Sequence, residues 1–108
     1  MKAAVWHKAK DLRVEEVEEP SVGDPHEVKV KVQACGICGS DLHEYAVGPI
    51  FIPVEQPHPI SGDKAPIVMG HEFSGEVVEV GERVRRVQVG DRVAIEPIYA
   101  PHREGAYL

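Results

Sequence analysis

Glycine and proline break this chain into short pieces: ten Gly and nine Pro fall among 108 residues. Gly gives up the most backbone freedom on ordering, and Pro lacks the N–H that a ladder needs, so regular elements tend to end or bend at both. What fits between them is mostly short strands. Met1–Trp6 is a small apolar strand candidate, Lys8–Asp11 a turn, and Leu12–Val17 the returning strand of a hairpin. The clearest strand is Glu27–Ala34, where Val28, Val30 and Val32 alternate with Lys29, Lys31 and Gln33. Period two with β-branched residues places the valines on a buried face. Glu72–Val80 is a further candidate, broken at Gly75. Val84–Val89 is a short segment before a Gly90–Asp91 turn, and Arg92–Glu96 is a last strand ended by Pro97. Pro20–Pro25 reads as a loop, Cys35–Ser40 as a Gly-rich turn, and Ser40–Tyr45 as a short helix with Ser40 at its N-cap. Ala46–Ala65 is a long Pro/Gly-rich loop whose Ile50, Phe51, Ile52, Val54 and Ile60 are expected to pack on something. Many short strands and few helices predict a β-barrel or sandwich.

Composition narrows the function classes. Hydrophobic residues make up 43% and charged residues 28%, which supports a packed domain rather than global disorder. The formal net charge of -6 speaks against a nucleic-acid partner, which calls for a basic face. The densest basic cluster, Arg83, Arg85 and Arg86, is balanced by Glu79, Glu82 and Asp91 and reads as a solvated face. No apolar run of about 18 residues predicts a membrane span, and the apolar run at Met1–Trp6 is too short for a signal-peptide core. Two cysteines are few for a disulfide-stapled secreted domain, so the expectation is a cytoplasmic protein.

Chemistry concentrates in two places. Cys35-Gly36-Ile37-Cys38 is a C-x-x-C pair with several meanings. Half of a four-Cys zinc site lacks its other half here, and a redox dithiol lacks its βαβ context. Alternatively one thiol ligates a metal and the other is a small packed residue. The following residues weigh on this choice, since Cys38, Ser40, Asp41 and His43 place a thiol, a hydroxyl, a carboxylate and an imidazole close together, and Gly70-His71-Glu72 follows. Thiolate and imidazole are the donors zinc prefers, at about 2.3 Å and roughly 2.0–2.1 Å, and catalytic zinc needs three protein ligands with one position open. Cys38 and His71 supply two, and Glu72 is the candidate third. His7, His26, His58 and His102 read as ordinary surface or packed histidines.

These motifs together resemble the zinc-containing medium-chain alcohol dehydrogenase family. The stretches that carry the resemblance are CGICGSDLH (35–43), GHEFSGEVVEVG (70–81) and VGDRVAIEP (89–97), and the likeness runs from Met1 to about Ala100. Within the family, EYAVGPIFIP (44–53) with HPISG (58–62) is most similar to the 2,3-butanediol dehydrogenase branch, with the polyol (sorbitol-type) branch beside it. The resemblance implies a mainly β, GroES-like, partly open β-barrel with one or two short helices. It implies zinc on Cys38, rather than Cys35, and on His71, with Glu72 also able to bind. Ser40 matches the hydroxyl that contacts the substrate oxygen and starts a proton relay, His43 a later relay member, and Asp41 the carboxylate that orients His71. The implied reaction is oxidation of a secondary alcohol or diol, zinc acting as Lewis acid and NAD or NADP taking the hydride.

Three departures bear on that reading. No G-x-G-x-x-G follows a strand and opens a helix, so a Rossmann domain is expected to be absent. Where the family often carries a four-cysteine structural zinc lobe, residues 101–108 form a tail without cysteine. Family members are also about three times longer, as two-domain enzymes are. The expectation is therefore a truncated catalytic domain, residues 1–100, that binds zinc without turning over alcohol by itself, NAD(H) belonging to the full-length enzyme. An open apolar surface around Ile50–Ile52 would favour self-association. The competing readings are a zinc-binding or scaffold domain without catalysis, a zinc-free relative of the quinone reductase kind, and a co-chaperonin-like module. Cys38 with His71 counts against the last two.

Overall fold

The computed structural model describes residues 1–98. The expected domain limit at Ala100 and the 101–108 tail, with His102 in it, lie outside the described residues. In chain order the elements are β1 (Lys2–Lys8), β2 (Asp11–Glu16), β3 (Val28–Gly36), α1 (Gly39–Val47), β4 (Ile67–Val68), β5 (Glu72–Val80) and β6 (Arg92–Ala94). They make two three-stranded sheets, ordered β2-β1-β4 and β3-β5-β6. All four pairings are antiparallel. The mainly β class is as expected, with one short helix. Among the described residues no strand of one sheet pairs with a strand of the other, so no barrel closes. The radius of gyration, 15.3 Å, exceeds the roughly 13 Å of a compact domain this long, in keeping with an open arrangement.

β1 anchors the first sheet because β2 and β4 flank it. Its Trp6 is fully buried and Val5 nearly so. Burial of an indole of this size is worth about 4–6 kcal/mol of gross apolar transfer. The β1–β2 hairpin turns at Ala9–Lys10, where Lys10 takes φ 61° and its N–H donates to the Tyr45 carbonyl of α1 at 2.6 Å.

In the second sheet several expectations fail for identifiable reasons. β5 runs unbroken through Gly75 because the missing side chain is what lets β3 approach: a Cβ there would collide with the Lys31 backbone. The valines of β3 do not form a buried face; Val32 is 52% exposed and Val28 is also exposed. β3 is an edge strand, and register shifts between Lys29 and Val30 and between Val32 and Ala34 interrupt the simple alternation. The buried partner is instead Val77 on β5. β6 stops at Ala94, two residues short of the expected Glu96, and the short Val84–Val89 segment before it holds no strand.

The helix begins one residue earlier than Ser40 and ends two later than Tyr45, at Gly39 and Val47, and Cys38 rather than Ser40 is its N-cap. The long loop after it contains no helix or strand until Ile67. Its apolar side chains do not bury: Phe51 is 78% exposed, and Ile50, Val54 and Ile60 are exposed too. The loop is held through its backbone. Ala65 N–H donates to the Pro53 carbonyl and His58 N–H to the Asp63 carbonyl, both at 2.8 Å, and the N–H groups of residues 50–52 reach the Glu44 carboxylate.

Candidate metal centre

Sheet register assembles the centre. Gly36, the last residue of β3, pairs with Glu72, the first of β5, and Cys35 pairs with Phe73. The chain leaves β3 through Ile37 to Cys38, whose extended backbone (φ -83°, ψ 155°) caps α1. His71 immediately precedes β5. The strand pair and the helix start thus converge, and the ligand atoms of Cys38, His71 and Glu72 all lie within 4.8 Å of one another. A thiol, an imidazole and a carboxylate in that space form a donor set that suits zinc. A Cβ at Gly36 would stand 2.8 Å from Glu72 Oε2, so the glycine keeps the carboxylate's place clear.

Asp41 ties the helix to the imidazole. Its Oδ2 accepts the Cys38 backbone N–H at 3.0 Å, and its Oδ1 lies 3.4 Å from His71 Nδ1. The Cys38 carbonyl accepts the Asp41 N–H at 3.1 Å, closing the first turn. On the other side of the ring, Ser40 Oγ lies 3.4 Å from His71 Nε2. The imidazole is therefore held between a carboxylate and a hydroxyl, both from the first turn of α1.

Charge follows this geometry. The Cys38 thiol is held below its ordinary pKa, first by hydrogen bonds from the Ser40 hydroxyl and backbone N–H and then by His71, against burial and Glu72. The His71 pKa is raised, first by its hydrogen bond with Cys38 and then, against some burial, by Asp41. The helix N-terminus favours the Cys38 thiolate, and that thiolate together with Asp41 favours the protonated imidazole.

The structure thus brings Cys38, His71, Glu72, Ser40 and Asp41 together. His43 is exposed on α1, three residues from Ser40 and so on a neighbouring part of the helix surface; its ring makes no hydrogen bond with the group. Cys35 is a free, exposed thiol whose Sγ packs against Gly70, not among the three grouped donors. Gly70 takes φ +106°, and a Cβ there would lie 2.8 Å from that sulfur. An open cavity of about 340 Å³ adjoins the centre, lined by Gly36, His71, Glu72, Phe73 and Pro97 among others. Sequence reading missed the roles of Gly36 and Gly70, and above all Glu44, whose partners are backbone N–H groups with no signature in residue type.

Residues 24–107 match the family of the alcohol dehydrogenase GroES-like domain. The chain belongs to the zinc-type medium-chain alcohol dehydrogenase family. It is 64% identical over 108 residues to (R,R)-butanediol dehydrogenase of Bacillus subtilis (strain 168), covering 99% of this chain and 31% of that protein. It is 50% identical over 95 residues to sorbitol dehydrogenase 1 of Saccharomyces cerevisiae, covering 88% of this chain and 24% of that one. The crystal structure of 2R,3R-butanediol dehydrogenase from Bacillus subtilis superposes with a TM-score of 0.90 at 64% identity, over 98% of this chain and 30% of that chain. This GroES-like domain thus spans less than a third of the length of these relatives. Among the described residues, no helix is long and apolar enough to cross a membrane.

Proposed function

We propose that this domain is the metal-binding, substrate-activating part of a zinc-dependent, NAD-linked oxidoreductase that oxidises a secondary alcohol or vicinal diol of the 2,3-butanediol/acetoin type. The observation that carries the proposal is the convergence of the Cys38, His71 and Glu72 donor atoms within 4.8 Å, with Ser40 Oγ on the same imidazole. The 64% identity to a butanediol dehydrogenase supports the diol class; the sorbitol dehydrogenase relatives keep a polyol as the second substrate reading.

Cys38, His71 and Glu72 would hold the zinc. Its chemistry there is Lewis acidity toward an alcohol oxygen, which eases loss of the hydroxyl proton. Asp41 orients His71 through Nδ1. Ser40 Oγ would accept the alcohol's proton as its own hydroxyl proton leaves toward solvent, and exposed His43, farther along α1, is the later relay member that the family resemblance implies. The described residues do not fit a nicotinamide dinucleotide: every strand pairing is antiparallel, and the Gly36–Gly39 turn that precedes the helix belongs to the metal group. Free Cys35 and Cys38 support a cytoplasmic setting, residues 1–100 are taken as the domain, and exposed Ile50 and Phe51 support self-association.

Elemental analysis of the purified chain tests the centre. The expected result is one zinc per chain, lost in Cys38→Ala and in His71→Ala and kept in Cys35→Ala. Zinc retained without Cys38 would overturn the assignment. An NAD-coupled assay of the purified chain with 2,3-butanediol is expected to show no turnover, and clear zinc-dependent activity would overturn that expectation.

A further inference from the structure

Glu44 is the buried ionisable side chain among the described residues, 4% exposed, and the proposed chemistry does not use it. Three parts of the molecule meet on it. Trp6 of β1 donates its indole N–H to the Glu44 carbonyl at 3.2 Å. Gly48 N–H donates to the same carbonyl at 2.9 Å and ends α1. The Glu44 carboxylate accepts the backbone N–H of Ile50 (3.1 and 3.0 Å), of Phe51, and of Ile52 (3.0 Å). Gly48 makes the wrap sterically feasible, since a Cβ there would collide with the Glu44 carbonyl, its Oε2 and the Trp6 ring.

Successive main-chain N–H groups aimed at one anion form a nest. Here the chain supplies the anion itself. Apolar burial does not explain the loop's path, because Phe51 and Ile50 stand in solvent. We propose that Glu44 is a positioning residue: its carboxylate fixes the path of the 48–53 loop against α1 and β1, and so sets the outward Ile50 and Phe51 side chains in register with the helix that carries Cys38, Ser40 and Asp41. Burial pushes the Glu44 pKa up, but the N–H groups of Phe51, Ile50 and Ile52 outweigh it and hold the carboxyl below its ordinary value. Among the described residues, no charged side chain pairs with Glu44. β1 presents Trp6, while neighbouring His7 is engaged by Glu15 at 2.8 Å. Lys10 reaches α1 only through its backbone N–H on Tyr45, and the loop presents only N–H groups.

The positioning role needs no metal, and neither does its test. In the ¹⁵N-labelled chain, the amides of Ile50, Phe51 and Ile52 are expected to exchange slowly and to titrate together, with one midpoint below the ordinary glutamate value. Glu44→Gln, which keeps one acceptor oxygen, should preserve the fold and abolish that titration. Glu44→Ala should speed exchange at the three amides by about tenfold or more, while Val30 and Val77 in β3 and β5 keep wild-type rates. Three results overturn the proposal: fast exchange at these amides in the wild type, a titration that survives in Glu44→Gln, or strand amides that accelerate as much as the loop. A chain that passes this test yet binds no zinc loses the proposed function and keeps the positioning role.

Discussion

The two ends of α1 use polar side chains in opposite ways. At the N-terminal end, Cys38, Ser40, Asp41 and His71 are only partly covered, and the contacts that orient the imidazole are long, 3.4 Å to each side. At the C-terminal end, Glu44 is buried and its listening partners are fixed backbone N–H groups, with Ile52 N–H at 3.0 Å. A buried carboxylate must be fully hydrogen-bonded to be tolerated, and such a group rigidifies what it binds. Accessible donors at loose distances are free to rearrange around a metal ion. One helix of nine residues thus separates a chemical end from a structural end.

Zinc content gives the largest contrast. Cys38→Ala is expected to abolish stoichiometric zinc, whereas Glu44→Gln retains it; elemental analysis of both reads the difference, and equal losses would erase the distinction between the ends. Asp41→Asn comes next, because its carboxylate accepts the Cys38 N–H at the start of α1 and lies 3.4 Å from His71 Nδ1, the ring it is proposed to orient. Losing the group that orients a ligating imidazole typically costs about 10–100-fold in metal affinity. Competition against a chromogenic chelator measures it, and an unchanged affinity would reduce Asp41 to a cap.

At the structural end the effect is on stability. Glu44→Ala leaves three loop N–H groups without their acceptor, a loss of roughly 1–3 kcal/mol in urea denaturation. The pH dependence has a definite sign. The folded pKa of Glu44 lies below its ordinary value of 4.5. Its contribution is therefore complete above about 4.5, the unfolded-state value, and is lost as pH falls through the lower folded value. The urea midpoint should fall with acid in the wild type and fall less steeply in Glu44→Gln. Matching slopes in the two proteins would place the acid sensitivity elsewhere.

How legible each end was in the sequence follows from what its residues bond to. The chemical end is built from side chains that meet side chains, so Cys38, His71 and Glu72 stand out in the sequence as a donor set, and the register Gly36 with Glu72 brings them together, with Ser40 and Asp41 beside His71. The structural end joins a side chain to main-chain N–H groups, which every non-proline residue carries, so nothing in the residue types at 50–52 marks them. The same limit explains the strands. Val28, Val30 and Val32 alternate correctly, but alternation says nothing about whether another layer covers that face, and an edge strand with two register shifts leaves Val32 half open. Gly75 reads as a break in the sequence yet is a close approach in the fold, because a lone glycine in a strand signals both. Ser40 reads as the N-cap because Ser favours that position; Cys38 occupies it, with the Asp41 carboxylate on its backbone N–H.

Ser40 supplies the smallest and most discriminating effect. Its hydroxyl approaches His71 at 3.4 Å in a partly open setting, and the His71 side chain is 40% exposed, so removing the hydroxyl strands no buried group. Ser40→Ala should therefore shift stability by no more than about 0.5 kcal/mol and leave zinc stoichiometry intact. The proposed relay role predicts that its cost is confined to proton transfer from a bound alcohol. Urea denaturation and zinc analysis on one preparation check the first half. If Ser40→Ala destabilises the chain as much as Glu44→Ala, the hydroxyl is part of the scaffold, and the division of α1 into a chemical and a structural end fails at the residue where it should be clearest.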